Sequence, residues 1–384
     1  MTADPAGTVG PVQRSPGLRI ATFGGVPVYI GRTWPIIAIV VIVTFGPQLT
    51  YARPELGATA YGIAAVFAVL LLLSVLAHEA AHAVVAHRFG YSVSRVVADL
   101  WGGHTAYDSA GAGGDGGGPG RSALVAVAGP LANGVLAVLA LLLHPHLDAD
   151  IPALLVGALG YTNGFVALFN LLPGLPLDGG FLVESLVWRV SGSRETGLIA
   201  AGWCGRVVTV LVLGWALVLP LLRGGRPSLF DLAWAGLIGA FLWAGATGAI
   251  RTGKARRLLA SISVRSVWRT ALTVSERASV APAARLRDLQ DRAAVVVTDD
   301  RGAPVGLVDD PALLAIPAQA RETTPVTAVL QRQPAGWVVD ADPDGSITAV
   351  VTRMQELGLG AIAVRRPGGP VEGVVYAADL YAAV

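Results

Sequence analysis

The chain has 384 residues, of which 53% are hydrophobic and only 14% charged, with a formal net charge of +2 and a mean hydropathy of +0.60. That balance is too apolar for an ordinary water-soluble domain, so a membrane protein is the starting expectation. The near-neutral charge gives no footing for nucleic-acid binding, and a lone cysteine, Cys204, excludes both an intramolecular disulfide and a cysteine-based metal site.

Residues 1–18 are polar and rich in proline and glycine, which predicts disorder. They lack the pattern of a signal peptide. Gly24–Arg32, GGVPVYIGR, reads as a short strand or interfacial segment. Apolar runs long enough to cross a bilayer follow near 33–50, 61–86, 122–143, 152–172, 202–222 and 229–250. The first is bracketed by Pro35 and Pro47.

The second run contains SVLAHEAAHAVV, and within it His78, Glu79 and His82 in the order H-E-x-x-H. On a helix, residues four apart share a face, so the two imidazoles point the same way and can hold one Zn²⁺. Glu79, one residue on, is placed to take a proton from a water activated by that metal. Three ionisable residues inside a membrane-type segment are costly, which favours a functional role over a structural one.

A less apolar stretch, Arg88–Arg121, separates the second and third runs. Its first half predicts a β-hairpin turning at Gly102–Gly103, and its second half, from Ala110 to Gly120, a flexible tether. No Gly-Lys-Ser/Thr ending follows, so a phosphate loop is not expected there. His87, His104, His144 and His146 read as solvated residues. The third run carries AVAGPLANG with Asn133.

After the fourth run comes FNLLPGLPLDGG, Phe169–Gly180. Pro173 and Pro176 must break the helix, and a broken helix at membrane depth is tolerated only when buried in protein or lining a cavity. A catalytic zinc needs three protein ligands and an open position. Asp178 is the third ligand this reading selects. Glu184 is the rival carboxylate, and a helix-capping role for Asp178 near Gly180 is the structural alternative. Asn170 and Asn133 can steady an oxyanion or hold a substrate strand; an amide bridging helices is the other reading of Asn133.

HEAAH, AGPLAN and NLLPGLPLDGG, in this order, resemble the site-2 protease family of intramembrane zinc metalloproteases. The resemblance covers about residues 20–250. It implies His78, His82 and Asp178 as ligands of one zinc per chain, Glu79 as the base, and Asn170 near substrate or oxyanion. It also implies six spans, a membrane-embedded hairpin that guides substrate, and membrane-spanning protein substrates, which is regulated intramembrane proteolysis. No inserted PDZ-like segment is present, which points to the compact branch with a C-terminal regulatory domain.

Charge density changes after Ile250: residues 1–250 hold 12 basic and 12 acidic side chains, while 251–384 hold 16 and 14 in about half the length. The tail carries two related units, Arg292–Leu313 and Gly360–Leu380, each strand, turn, strand and helix start, with helical lead-ins at Ala283–Asp291 and Ile347–Leu357. The repeat resembles a tandem cystathionine-beta-synthase-type (CBS) pair, a family that often binds adenine nucleotides between its halves. The ribose-contacting pattern is degraded here. Gly373 and Asp379 match, but Tyr376 replaces the hydroxyl residue, and Asp309 and Ala312 stand at the corresponding places of the first unit. This departure weighs against an adenine nucleotide at Asp379 and favours homodimerisation.

The expected fold is therefore a polytopic α-helical membrane protein of about six transmembrane helices with a C-terminal soluble α/β tandem CBS domain. The expected division is a disordered 1–18, a protease domain at 19–250, a basic linker at 251–257 and the CBS pair at 258–384. Arginine placement in the short loops predicts both termini in the cytoplasm, and 27 Arg against one Lys points to a GC-rich bacterial source, hence a bacterial plasma membrane. A CBS-gated metal transporter or channel, and an inactive membrane scaffold, are the competing readings. A single cluster with no internal repeat in the membrane part speaks against transport, and an intact Glu79 speaks against inactivity.

Overall fold

The computed structural model describes residues 17–23, 25–99, 102–108, 117–289 and 293–383. The chain forms two compact units, Met1–Gly253 and Lys254–Val384.

The first unit opens with β1 (Gly17–Phe23) and β2 (Val26–Gly31), paired antiparallel. Gly25 between them has φ +86°, a conformation that a tight hairpin requires and glycine supplies without strain. Residues 17 and 18, expected within the disordered start, belong to β1. β3 (Ser92–Asp99) joins β2 in parallel and β4 (Gly102–Asp108) closes the four-stranded sheet in the order β1-β2-β3-β4.

The hairpin is present, but not with the expected turn. Asp99 pairs with Gly102 and Ala98 with Gly103, so Gly102 and Gly103 are strand residues; residues 100–101 lie outside the described residues. Glycine marks where a turn is allowed; the cross-strand register decides where it occurs. Residues 110–116 of the expected tether also lie outside the described residues, and Gly118–Gly120 form the first turn of a helix.

Seven helices follow: α1 (Trp34–Ala52), α2 (Thr59–Arg88), α3 (Gly118–Leu143), α4 (Asp150–Asn170), α5 (Asp178–Ser191), α6 (Arg194–Leu222) and α7 (Leu229–Ser261). All except α5 are long and apolar enough to cross a membrane, which gives six candidate spans among the described residues. Large hydrophobic side chains such as Ile39, Val69, Leu142, Phe165, Leu211 and Leu229 are exposed on them, as lipid-facing surfaces require. The chain is a multi-pass membrane protein.

Pro35 does not weaken α1, because it sits in the first turn where its missing N–H has no helical partner. α6 begins eight residues before its expected apolar start, capped by Ser193, whose hydroxyl accepts from the Thr196 N–H at 3.1 Å. The basic stretch Arg251–Arg257, expected as a linker, is helical and continuous with α7; no proline interrupts it.

The segment 171–177 between α4 and α5 is pressed against its surroundings. A Cβ on Gly179 would meet the Leu172 carbonyl oxygen at 2.3 Å, and one on Gly180 the Leu175 nitrogen at 2.3 Å. The two glycines after Asp178 therefore let the loop fold back over the start of α5 and fix where Asp178 points.

The second unit is α/β. Beyond α8 (Val264–Val267), it contains β5 (Trp268–Ser275), α9 (Val280–Leu289), β6 (Ala294–Thr298), β7 (Pro304–Val308), α10 (Asp310–Ala315), β8 (Leu330–Arg332), β9 (Val338–Asp340), α11 (Thr348–Leu357), β10 (Ala361–Arg365), β11 (Val371–Tyr376) and α12 (Ala377–Ala383). One seven-stranded sheet runs β8-β7-β6-β5-β11-β10-β9. The two sequence repeats appear as α9-β6-β7-α10 and α11-β10-β11-α12. Strands β6 and β10 are continuous apolar runs, AVVVT and AIAVR, buried at their first four positions because they carry packed residues on both faces. One core gathers Val280, Val297 and Leu313; another gathers Ile347, Val350 and Ile362.

Candidate metal centre

His78, Glu79 and His82 all lie on α2 and are all buried. The helical spacing brings the two rings edge to face with centroids 4.8 Å apart, and their Nε2 atoms to 3.1 Å. Ligand-type atoms of His78, Glu79 and His82 all lie within 4.8 Å of one another.

The other ring nitrogen of each histidine faces a carbonyl oxygen on α3. His78 Nδ1 lies 2.5 Å from Asn133 Oδ1, and His82 Nδ1 lies 2.7 Å from the Val125 carbonyl oxygen. A carbonyl oxygen only accepts, so both Nδ1 atoms carry the proton and both Nε2 atoms present a lone pair. Asn133 is itself oriented: its Nδ2 donates to Asn163 Oδ1 at 2.7 Å, and Asn163 Nδ2 donates to Ser74 Oγ at 3.1 Å and to the Leu159 carbonyl at 2.9 Å.

Asp178 enters from the start of α5. Its Oδ2 stands 3.1 Å from His78 Nε2 and its Oδ1 3.5 Å from His82 Nε2. Leu177, not Asp178, is the N-cap of α5, so Asp178 is not spent on capping. Oδ2 is buried without a hydrogen-bond partner. Two imidazole lone pairs and a carboxylate converging away from water repel one another unless a cation sits among them. Ligand atoms on a tetrahedral zinc with bonds of about 2.0–2.1 Å lie roughly 3.3 Å apart, which matches this spacing. The donor set fits a divalent zinc-type ion.

Gly129 on α3 faces the cluster. A Cβ there would meet His82 Nε2 at 2.3 Å and His78 Nε2 at 2.4 Å, so only glycine leaves the space between the nitrogens open.

The other sequence candidates fall differently. Glu184 lies six residues beyond Asp178, about 9 Å of helix rise, and its Oε1 accepts from Arg194 Nε at 2.9 Å; it is outside the cluster. Asn170 is half-buried at the end of α4, and the bonds that reach the histidines come from Asn133 and Val125 instead. Asn163, Ser74 and Gly129 escaped sequence reasoning. The signal for Asn163 was an amide in the middle of the apolar fourth run, within ALGYTNGFVALF.

Because the Ser74–Asn163–Asn133 chain sets the orientation of His78, Asn163→Leu is expected to weaken zinc affinity about 10–100-fold while all four cluster residues remain. Competition against a chelator of known affinity reads this directly, and unchanged affinity would remove Asn163 from the support.

Among multi-pass membrane proteins, an H-E-x-x-H pair completed by a carboxylate from a second helix defines the metallopeptidase type. The profile of peptidase family M50 matches residues 148–213. A Mycobacterium tuberculosis protein that bears the name zinc metalloprotease Rip3 is 33% identical over 325 residues, covering 82% of this chain and 78% of the relative. A Synechocystis protein, also zinc metalloprotease by name, is 29% identical over 245 residues, 62% of this chain and 61% of that one. Among solved structures, the site-2 protease from Methanocaldococcus jannaschii aligns with 61% of this chain and 94% of its own at 22% identity and a TM-score of 0.43. The chain belongs to peptidase family M50. It spans 61% of the length of the cyanobacterial relative.

Proposed function

We propose that this protein is an intramembrane zinc endopeptidase that cleaves membrane-spanning segments of other proteins. The observation that carries the reading is the convergence of His78 Nε2, His82 Nε2 and an Asp178 carboxylate whose buried Oδ2 lacks a hydrogen-bond partner, inside a bundle of apolar helices. His78, His82 and Asp178 hold the zinc. When bound, zinc lowers the pKa of a water towards about 7 and polarises a peptide carbonyl.

The rest is work for the chain's own residues. Glu79 sits beside the ligands on the same helix, and its carboxylate takes the proton of the attacking water and later delivers it to the leaving amine nitrogen. Asn133 and the Val125 carbonyl keep the two rings in the tautomer that ligates. The substrate carbonyl must leave its helical hydrogen bond to be reached, so the cleaved segment unwinds locally. Asn170, at the end of α4 and beside the 171–177 segment, is assigned to substrate contact. Both termini are cytoplasmic and the host membrane is a bacterial plasma membrane.

We assign the C-terminal repeat to a tandem CBS pair that regulates or dimerises the enzyme without an adenine nucleotide. Supporting this, Asp379, which matches the acidic position of the ribose-contacting pattern, accepts from Arg269 Nε at 2.7 Å and Nη2 at 3.0 Å. Arg269 in turn lies 4.5 Å over the Tyr376 ring. This bidentate pair raises the Arg269 pKa, and burial raises that of Tyr376.

Zinc content of the purified, detergent-solubilised protein tests the reading, beside His78→Ala and Asp178→Ala. We expect stoichiometric zinc in the wild type and loss in both variants. Zinc retained in Asp178→Ala removes Asp178 from the ligand set, and a folded wild type without zinc overturns the peptidase reading.

A further inference from the structure

Arg206 lies within the apolar span α6 and plays no part in the metal centre. Its guanidinium sits 4.7 Å from the Trp203 ring centroid and 4.9 Å from that of Trp243 on α7, between the two indoles. Nη2 donates to Thr247 Oγ1 at 3.2 Å. Nε is buried without a partner. Among the described residues, no carboxylate lies within ion-pair distance of it.

The depth of this group follows from the exposed surface. Large hydrophobic side chains are exposed on α6 from Trp203 to Leu222 and on α7 from Leu229 to Trp243 and again at Leu258. Nineteen residues of α6 rise about 29 Å, the thickness of a bilayer's hydrocarbon core. Trp203, 52% exposed, therefore marks one edge of the band on α6, where amphipathic indoles settle at headgroup level, and Trp243, 45% exposed, lies beside it across Arg206. It is the edge towards Arg194 and Arg251. Arg206 and Thr247, both half-buried, stand beside that edge.

We propose that Arg206, Thr247, Trp203 and Trp243 form a binding site for the phosphate of an anionic phospholipid. An unpaired guanidinium at the border of hydrocarbon is costly, and an anion from the same depth offsets the cost. The planar fork of Arg matches phosphate oxygens two at a time. The Thr247 hydroxyl adds a further donor, and the indoles pack against the glycerol and upper acyl chains. The site abuts the segment that leads to Asp178. A Cβ on Gly205, next to Arg206, would meet the Leu175 carbonyl oxygen at 2.0 Å, and one on Gly245, two residues from Thr247, the Pro176 ring at 2.6 Å. Nothing in the proposal requires the peptidase reading.

The test uses the full chain in nanodiscs of mixed phosphatidylcholine and phosphatidylglycerol, with bromine on the acyl chains of one lipid at a time and tryptophan fluorescence as the readout. At equal mole fraction, brominated phosphatidylglycerol quenches the wild type more strongly than brominated phosphatidylcholine. Arg206→Gln weakens that preference about tenfold, and Arg206→Lys restores part of it. Added inorganic phosphate leaves the preference unchanged. Equal quenching by both lipids in the wild type, or an undiminished preference in Arg206→Gln, overturns the proposal. Displacement by inorganic phosphate overturns the lipid assignment in favour of a soluble anion. Should Arg206→Gln fail to fold, Thr247→Val decides: it keeps the cation and removes one donor, and an undiminished preference there counts against the site.

Discussion

Glu79→Gln is expected to cut cleavage of a membrane-spanning substrate by on the order of 10²–10⁴-fold while leaving zinc content at the wild-type level. The amide has the shape of the carboxylate but no basicity, so it cannot take the proton of the attacking water, a contribution of that size in general acid–base catalysis. Zinc content is expected to hold because the two Nε2 atoms and the Asp178 carboxylate proposed to hold the metal belong to other side chains. Zinc analysis and cleavage, measured on the same preparation, separate the three functional readings of the sequence. A peptidase loses turnover and keeps zinc. A metal transporter keeps much of its flux. A scaffold keeps its partner binding. Zinc lost together with activity would make Glu79 a ligand, and that outcome would falsify its assignment as the base.

The second large effect comes from a residue with no chemistry of its own. Gly129→Ala is expected to abolish zinc binding, and cleavage with it. The new methyl carbon falls at 2.3 and 2.4 Å from the two Nε2 atoms, well inside contact distance. Neither ring can swing aside cheaply. His78 is tied to Asn133 and His82 to the Val125 carbonyl, and both rings are buried. Relief must come from shifting α2 against α3, at about 1–3 kcal/mol for an overpacked core. Gly134→Ala, on the same helix with nothing within 4 Å of its added Cβ, is the matched control and should bind zinc normally. Equal zinc content in the two variants would show that the space between the nitrogens is not where the metal sits.

Several features of this molecule are carried by local pattern, and those were legible in the sequence. Six apolar runs of spanning length predict six spans because a lipid environment demands continuous internal hydrogen bonding, and the long helices begin and end within a few residues of the runs except at the start of α6 and the end of α7. There the helix continues through charged residues, since nothing in Arg194–Ala201 or Arg251–Ser261 breaks it; hydropathy marks where lipid ends, not where the helix does. The repeat of the tail was equally visible, because strand-turn-strand-helix order is written twice in short-range periodicity. The H-E-x-x-H spacing fixed that His78 and His82 share a face, and Pro173 and Pro176 fixed that the helix breaks before Asp178.

What remained was decided by contacts between segments far apart in the chain. Sequence reasoning selected Asp178 over Glu184 without a distance to either; the fold brings Asp178 to the histidines and ties Glu184 to Arg194. That reasoning left Asn133 with two roles and gave no place to Asn163, because an amide's partner depends on which helix lies alongside. Gly129 is the clearest case. A glycine in an apolar span carries no signal of its own, and its importance arises only when α3 lies against α2 with two ring nitrogens where a methyl group would stand. The sequence by itself determined the spans, the two-part organisation and the pair of histidines on one helix face, and it selected Asp178. Only the tertiary structure decided how closely Asp178 approaches the rings, the support behind them and the space between them, since each depends on approach within a few ångströms of residues 30 to 100 positions apart, which no local periodicity encodes.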